Sequence, residues 1–71
     1  MKYNCRAFRN SVKDWDDPKK LERIDYTVEA NTLKEAKNKA VQETFKFDMQ
    51  SANKIVQKVE IEIDDEWHLI E

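Results

Sequence analysis

Between Tyr26 and Phe45 the hydrophobic repeat changes from two residues to about 3.6, and it does so across a helix-start signature. Ile24, Tyr26, Val28 and Ala30 alternate with Arg23, Asp25, Thr27 and Glu29, as in a strand with one buried face. Thr32-Leu33-Lys34-Glu35 then reads as a capping box. The Thr32 hydroxyl accepts the N–H of Glu35, and the Glu35 carboxylate reaches back to the N–H of Thr32. A strand running straight into a capped amphipathic helix restricts the chain to folds in which a helix covers a sheet.

The flanking segments extend the pattern. Residues 2–9 read as a first strand, with Tyr3, Cys5 and Ala7 on one face and Lys2, Asn4, Arg6 and Phe8 on the other. Phe8 breaks the alternation, which calls for a bulge or a half-covered outer face. Residues 10–20 form the one long connection and contain the sole proline, Pro18. The helix is expected to run from after Thr32 to about Lys46. Leu33, Ala36, Ala40, Val41, Thr44 and Phe47 would point inward, and Glu35–Lys39 would form an i,i+4 pair. Residues 47–53 are either a further turn of helix or an irregular return, with Asn53 the expected stop. Ile55, Gln57, Val59, Ile61 and Ile63 alternate with Val56, Lys58, Glu60 and Glu62 in the strongest strand pattern. Asp64-Asp65-Glu66 is a turn candidate and residues 67–70 a short last strand. There is no glycine, so positive φ must fall on Asn or Asp; Asn10, Asn53 and Asp65 are the candidates.

The expected fold class is therefore α+β, a single domain over residues 1–71 with the order β-β-α-β and a short fourth strand. A right-handed crossover through the helix puts the third strand beside the first. The sheet is antiparallel, of three to four strands in the order 2-1-3-4, with the helix on one face and the other face partly open. The junction Val28-x-Ala30-x-Thr32-x-x-Glu35-Ala36, extended to Ala40, resembles small accessory proteins of bacteriophages and conjugative elements. Many of those have a Tyr-rich first strand followed by V-x-A-x-[ST]-x-x-E-A-x-x-x-A. The motif is structural. The resemblance implies a mobile-element accessory or host-takeover protein and carries over no catalytic or binding residue.

Composition narrows the function. A chain of 71 residues buries only about 60% of its unfolded surface, so its core is thin and a second copy or a partner would add burial. Thirteen basic against 15 acidic residues, a net charge of −2, do not suit a general nucleic-acid binder. The lone Cys5 cannot form an intramolecular disulfide and points to a reducing compartment. No membrane-length apolar run and no signal peptide is evident, and a cytoplasmic location is expected.

Catalytic constellations are scarce. Ser11, Ser51 and Cys5 have no histidine nearby in sequence, and His68, the only one, belongs to a strand separated from that of Cys5. Cys5 reads as a small core residue, and no phosphate loop is possible without glycine. Asp64, Asp65, Glu66 and His68 match no defined metal loop and read as a solvated turn; neither a metal nor a cofactor is expected. The chain is expected not to be an enzyme.

Charge is uneven. Lys2, Arg6, Arg9 and Lys13 fall in the first 13 residues with no acid, whereas Glu60, Glu62, Asp64, Asp65, Glu66 and Glu71 crowd the end around Lys58. Neighbouring first and third strands would let Arg6 and Lys2 pair with Glu60 and Glu62. Trp15, among Asp14, Asp16 and Asp17, either folds back over the core or stands exposed as an interface anchor. The favoured function is a small binding domain that occludes a protein partner, such as a host nucleic-acid-handling protein, in the manner of a phage or mobile-element inhibitor or adaptor. Trp15, Asp16, Asp17, Glu62, Asp65 and Trp67 are its candidate contacts. The alternative is a nucleic-acid-binding accessory protein using Arg6, Phe8, Arg9 and Lys13. A homodimer joined by exposed strand edges is a third reading.

Overall fold

The computed structural model describes residues 1–50 and 53–70. Strand β1 (Lys2–Ser11) leads through a loop with a short 3-10 turn at Pro18–Lys20 to β2 (Glu22–Glu29). Helix α1 (Leu33–Gln50), β3 (Lys54–Ile63) and β4 (Glu66–Leu69) follow. The strands form one antiparallel sheet in the order β2-β1-β3-β4 with the helix packed on it, as the pattern of periods predicts.

The junction after β2 is built from local hydrogen bonds. Thr32 Oγ1 accepts the N–H of Glu35 at 3.2 Å, as expected of the cap. The return bond differs: the Glu35 carboxylate accepts the N–H of Asn31, one residue further out. Glu35 also pairs with Lys39 at 3.1 Å. Lys39 and the Asn31 amide together hold the Glu35 carboxyl below its ordinary range.

The core lies between α1 and one face of the sheet. Cys5, Ala7, Val28, Ala30, Ala36, Ala40, Val59 and Ile61 are buried, with Ile61 and Cys5 the largest side chains fully enclosed. The predicted helix stripe is too wide. Ala36, Ala40 and Thr44 are buried, but Leu33 and Val41 are exposed. The buried positions Ala36, Ala40 and Thr44 form one i, i+4 row, so a single narrow strip of the helix meets the sheet. Val41, one residue on from Ala40 and so about 100° around the helix, falls on the flank. The buried Thr44 hydroxyl is satisfied by donating to the Val41 carbonyl at 2.6 Å. Helix and sheet are further tied by the Tyr26 hydroxyl, which donates to the Ala40 carbonyl at 2.6 Å, and by edge-on packing of Tyr26 and Phe47 at 5.2 Å. Burial, then the nearby Cys5 and Glu43, raises the Tyr26 phenol above its ordinary value.

Two features decide points that the sequence pattern leaves open, and a bulge does fall beside Phe8, with its extra residue on the neighbouring strand. Phe8 pairs with Lys58 but Arg9 with Val56, so Gln57 is an extra residue in β3. The bulge flips the phase of the strand: Val56 packs on the core and Ile55 is exposed, the reverse of the expected alternation. The helix also continues past Lys46 to Gln50, the further turn of helix that is one of the two readings of this segment. Of the return segment, Ser51 and Ala52 lie outside the described residues. Asn53 follows in a turn, and its carbonyl accepts the Val12 N–H at 2.9 Å. Among the described residues positive φ occurs at Asp64 (53°) and Asp65 (65°), not at Asn10 or Asn53. Two consecutive left-handed residues are what a tight two-residue hairpin needs to match strand twist, and Asp tolerates them better than most residues.

Candidate binding face of the sheet

Alternation along β1 sends Asn4, Arg6 and Phe8 to the face opposite the helix. Strand order then decides their neighbours. Arg6 lies between Asp25 of β2 and Glu60 of β3, and Phe8 between Arg23 and Lys58. Across β3, Glu62 faces Trp67 and Glu60 faces Leu69.

Arg6 organises this face. Its Nε donates to Glu60 Oε1 at 2.6 Å, and both side chains are largely buried, 23% and 15% exposed. Its guanidinium carbon lies 4.0 Å from the ring centre of Trp67 and 5.5 Å from that of Phe8. Lys58 Nζ sits 4.7 Å from the Phe8 ring. Asn4 Nδ2 donates to Glu62 Oε1 at 3.0 Å. The expected basic–acidic pairing across β1 and β3 thus occurs through Arg6–Glu60. Glu62 is met by Asn4 rather than Lys2, which the register sets opposite Glu29. Beside the stack a shallow groove of about 480 Å³ is lined by Arg6, Arg23, Asp25, Thr27 and Trp67. Cation and ring partners held this way lose little freedom on meeting another surface.

The loop at the far end of β1 is a separate structure. Asn10 is buried and its amide donates to the carbonyls of Asp14 and Asp17 at 2.5 and 3.0 Å. The Ser11 hydroxyl donates to the Asp14 carboxylate at 2.9 Å, and Lys20 lies 3.3 Å from the same group. These contacts hold the Asp14 carboxyl below its ordinary value. Asp17 caps the 3-10 turn by accepting the Lys19 N–H. Trp15 is 47% exposed, and its carbonyl accepts from Gln57, the bulge residue, at 3.0 Å.

The six candidate protein contacts therefore divide. Glu62 and Trp67 are cross-strand neighbours on the open face, and Asp65 is in the adjoining β3–β4 turn. Trp15, Asp16 and Asp17 sit in the β1–β2 loop, at the end of β1 away from that turn. The four candidate nucleic-acid contacts divide too. Arg6 and Phe8 share the open face, but Arg9 turns to the helix side, donating to Glu22 at 3.1 Å and to the Phe47 carbonyl at 3.4 Å. Lys13 is exposed in the loop. The Arg6–Trp67 stack has no local sequence signature: β3 lies between the two strands, and only the register and the reach of the arginine side chain across β3 bring the two residues together.

Cys5 and His68 occupy one cross-strand row with the fully buried Ile61 between them. Burial pushes the Cys5 thiol up to about 11, so it stays protonated and weakly nucleophilic at neutral pH. His68 lies 4.0 Å from Glu66. Among the described residues, no three His, Cys, Asp or Glu side chains gather as a metal site. No described helix is long and apolar enough to cross a membrane.

These features define a small α+β domain with one face of its sheet uncovered. Compared with known proteins, the chain matches no family model, and no curated protein or solved structure matches it.

Proposed function

We propose that this is a non-enzymatic binding domain that docks on a protein partner through the open face of its sheet, occluding it as an inhibitor or adaptor of a phage or mobile element would. The observation that carries the reading is the Arg6–Trp67 stack, with Glu60 hydrogen-bonded to Arg6 at its edge. Tryptophan and arginine dominate binding energy at protein interfaces, and here both are pre-positioned beside a groove, with Phe8 and Leu69 adding apolar area. Glu62 and Asp65 supply an acidic margin suited to a basic partner, such as a host protein that handles nucleic acid. The mobile-element origin is supported by the resemblance at the Val28–Ala40 junction. Nucleic-acid binding is less well supported, because Arg6 is committed to Glu60 and Arg9 to the opposite face.

The test is a pull-down from bacterial lysate, with and without nuclease, comparing the native chain with Trp67→Ala and Trp15→Ala. A discrete protein retained after nuclease, lost with Trp67→Ala and kept with Trp15→Ala, is the expected result. Retention of nucleic acid that disappears on nuclease treatment would overturn the reading.

A further inference from the structure

Strand β2 is an edge strand of eight residues, Glu22–Glu29, and among the described residues no other strand lies on its outer side. Which of its backbone groups point outward follows from its first pairing. Met1 and Ala30 exchange both hydrogen bonds, at 3.0 and 2.9 Å, so residues of even number in β2 bond to β1. Arg23, Asp25, Thr27 and Glu29 therefore turn their N–H and C=O groups to the free edge. Among the described residues one of these groups is engaged: the Glu29 carbonyl accepts from Lys39 Nζ at 2.6 Å.

We infer that this edge is a self-complementary interface, and that a second copy of the chain pairs with it antiparallel about a two-fold axis at Tyr26. In that register Arg23 faces the second copy's Glu29, Asp25 faces Thr27, Ile24 faces Val28 and Tyr26 faces Tyr26. Both ends carry an opposite-charge pair, the Thr27 hydroxyl can donate to the Asp25 carboxylate, and the helix-side residues form apolar pairs. The outward residues meet one another, as a hydrogen-bonded ladder requires. Sliding by two residues sets Asp25 against Asp25 in one direction and Asp25 against Glu29 in the other. A slide by one residue mismatches the outward backbone groups and the faces. A single register is thus selected. The product is one continuous eight-stranded sheet with both helices on one side, and both open faces on the other. Lys39 must release the Glu29 carbonyl, and Glu35, already 3.1 Å away, receives it.

Light scattering and sedimentation as a function of concentration test this with the intact chain. The native chain should reach twice its 8.5 kDa mass. Arg23→Glu alone and Glu29→Arg alone, both at exposed positions, should each weaken the dimer by about tenfold or more, because each places like charges together twice. Mixing the two variants should restore it, since every pair becomes Glu with Arg. Thr27→Pro removes an outward N–H without touching the β1 ladder and should leave a monomer with a native circular dichroism spectrum. A single-chain mass at every concentration would overturn the inference, as would a dimer indifferent to these changes or a mixture that fails to restore it.

Discussion

The guanidinium of Arg6 lies 4.0 Å from the ring centre of Trp67, although β3 separates their two strands. The arginine side chain crosses β3 diagonally, leaving its Nε on Glu60 and carrying its charged plane to the ring. Without Trp67 the guanidinium would keep Glu60 and the more distant Phe8 ring but lose the ring nearest to it. The contact makes β4, the shortest strand, a part of the sheet's open face rather than a frayed end.

A double-mutant cycle on Arg6→Ala and Trp67→Ala should give a coupling energy of about 0.5–1 kcal/mol, the size of a partly exposed cation–π pair. Urea unfolding of the four proteins measures it. Additive effects of the two changes would mean that the stack contributes nothing to stability.

Tyr26→Phe keeps the ring against Phe47 and removes only the bond to the Ala40 carbonyl. Unfolding free energy should drop by about 1 kcal/mol. The helix should keep its circular dichroism signal, because that carbonyl retains its place in the helical ladder.

Ala40 is fully buried where the helix approaches the sheet. Ala40→Leu should cost about 1–3 kcal/mol through overpacking, despite leucine's good helix propensity. Leucine at exposed Lys34 is the control and should leave the melting temperature nearly unchanged.

Acid should weaken the domain through Glu22, whose carboxylate receives Arg9 at 3.1 Å and Lys54 at 2.6 Å. Hydrogen bonds from Arg9 and then Lys54 lower its pKa from 4.5 to about 2. A folded-state value below the unfolded one means that this stabilisation is complete above about pH 4.5 and is lost as pH falls towards 2. Glu22→Gln should therefore show a shallower decline of the urea midpoint between pH 5 and 2 than the native chain, as measured by fluorescence.

At the β3–β4 turn, Asp64→Asn with Asp65→Gly should raise the melting temperature, by an amount equivalent to about 0.5–1 kcal/mol. Both residues hold positive φ, and the substitutes adopt that region at lower cost. Unfolding by heat, followed in the far ultraviolet, measures the gain.

What could be read from sequence was local. The Val28–Ala30 alternation, the Thr32 cap and the Ala36–Ala40 spacing each depend on neighbours within one turn or one pleat, and together they imply the β-β-α-β order and the 2-1-3-4 sheet. Asp65 was foreseeable as a left-handed residue because a chain without glycine has few others to use. Tertiary structure decided the rest. The Gln57 bulge, which turns Val56 inward and Ile55 outward, arises where β3 must match β1 and still meet the Trp15 loop. The exposure of Leu33 and Val41 depends on how the helix is rotated about its axis, with the Ala36–Ala40–Thr44 row turned to the sheet. Arg9 looked like a partner of Arg6 on one basic strand, but parity sends it to Glu22 and the helix end. Arg6 meets Trp67 because its side chain reaches across β3 at a register that periodicity does not record. Periodicity records which way a side chain points from its own backbone; what it then touches is set by register and side-chain reach, which join residues more than fifty positions apart.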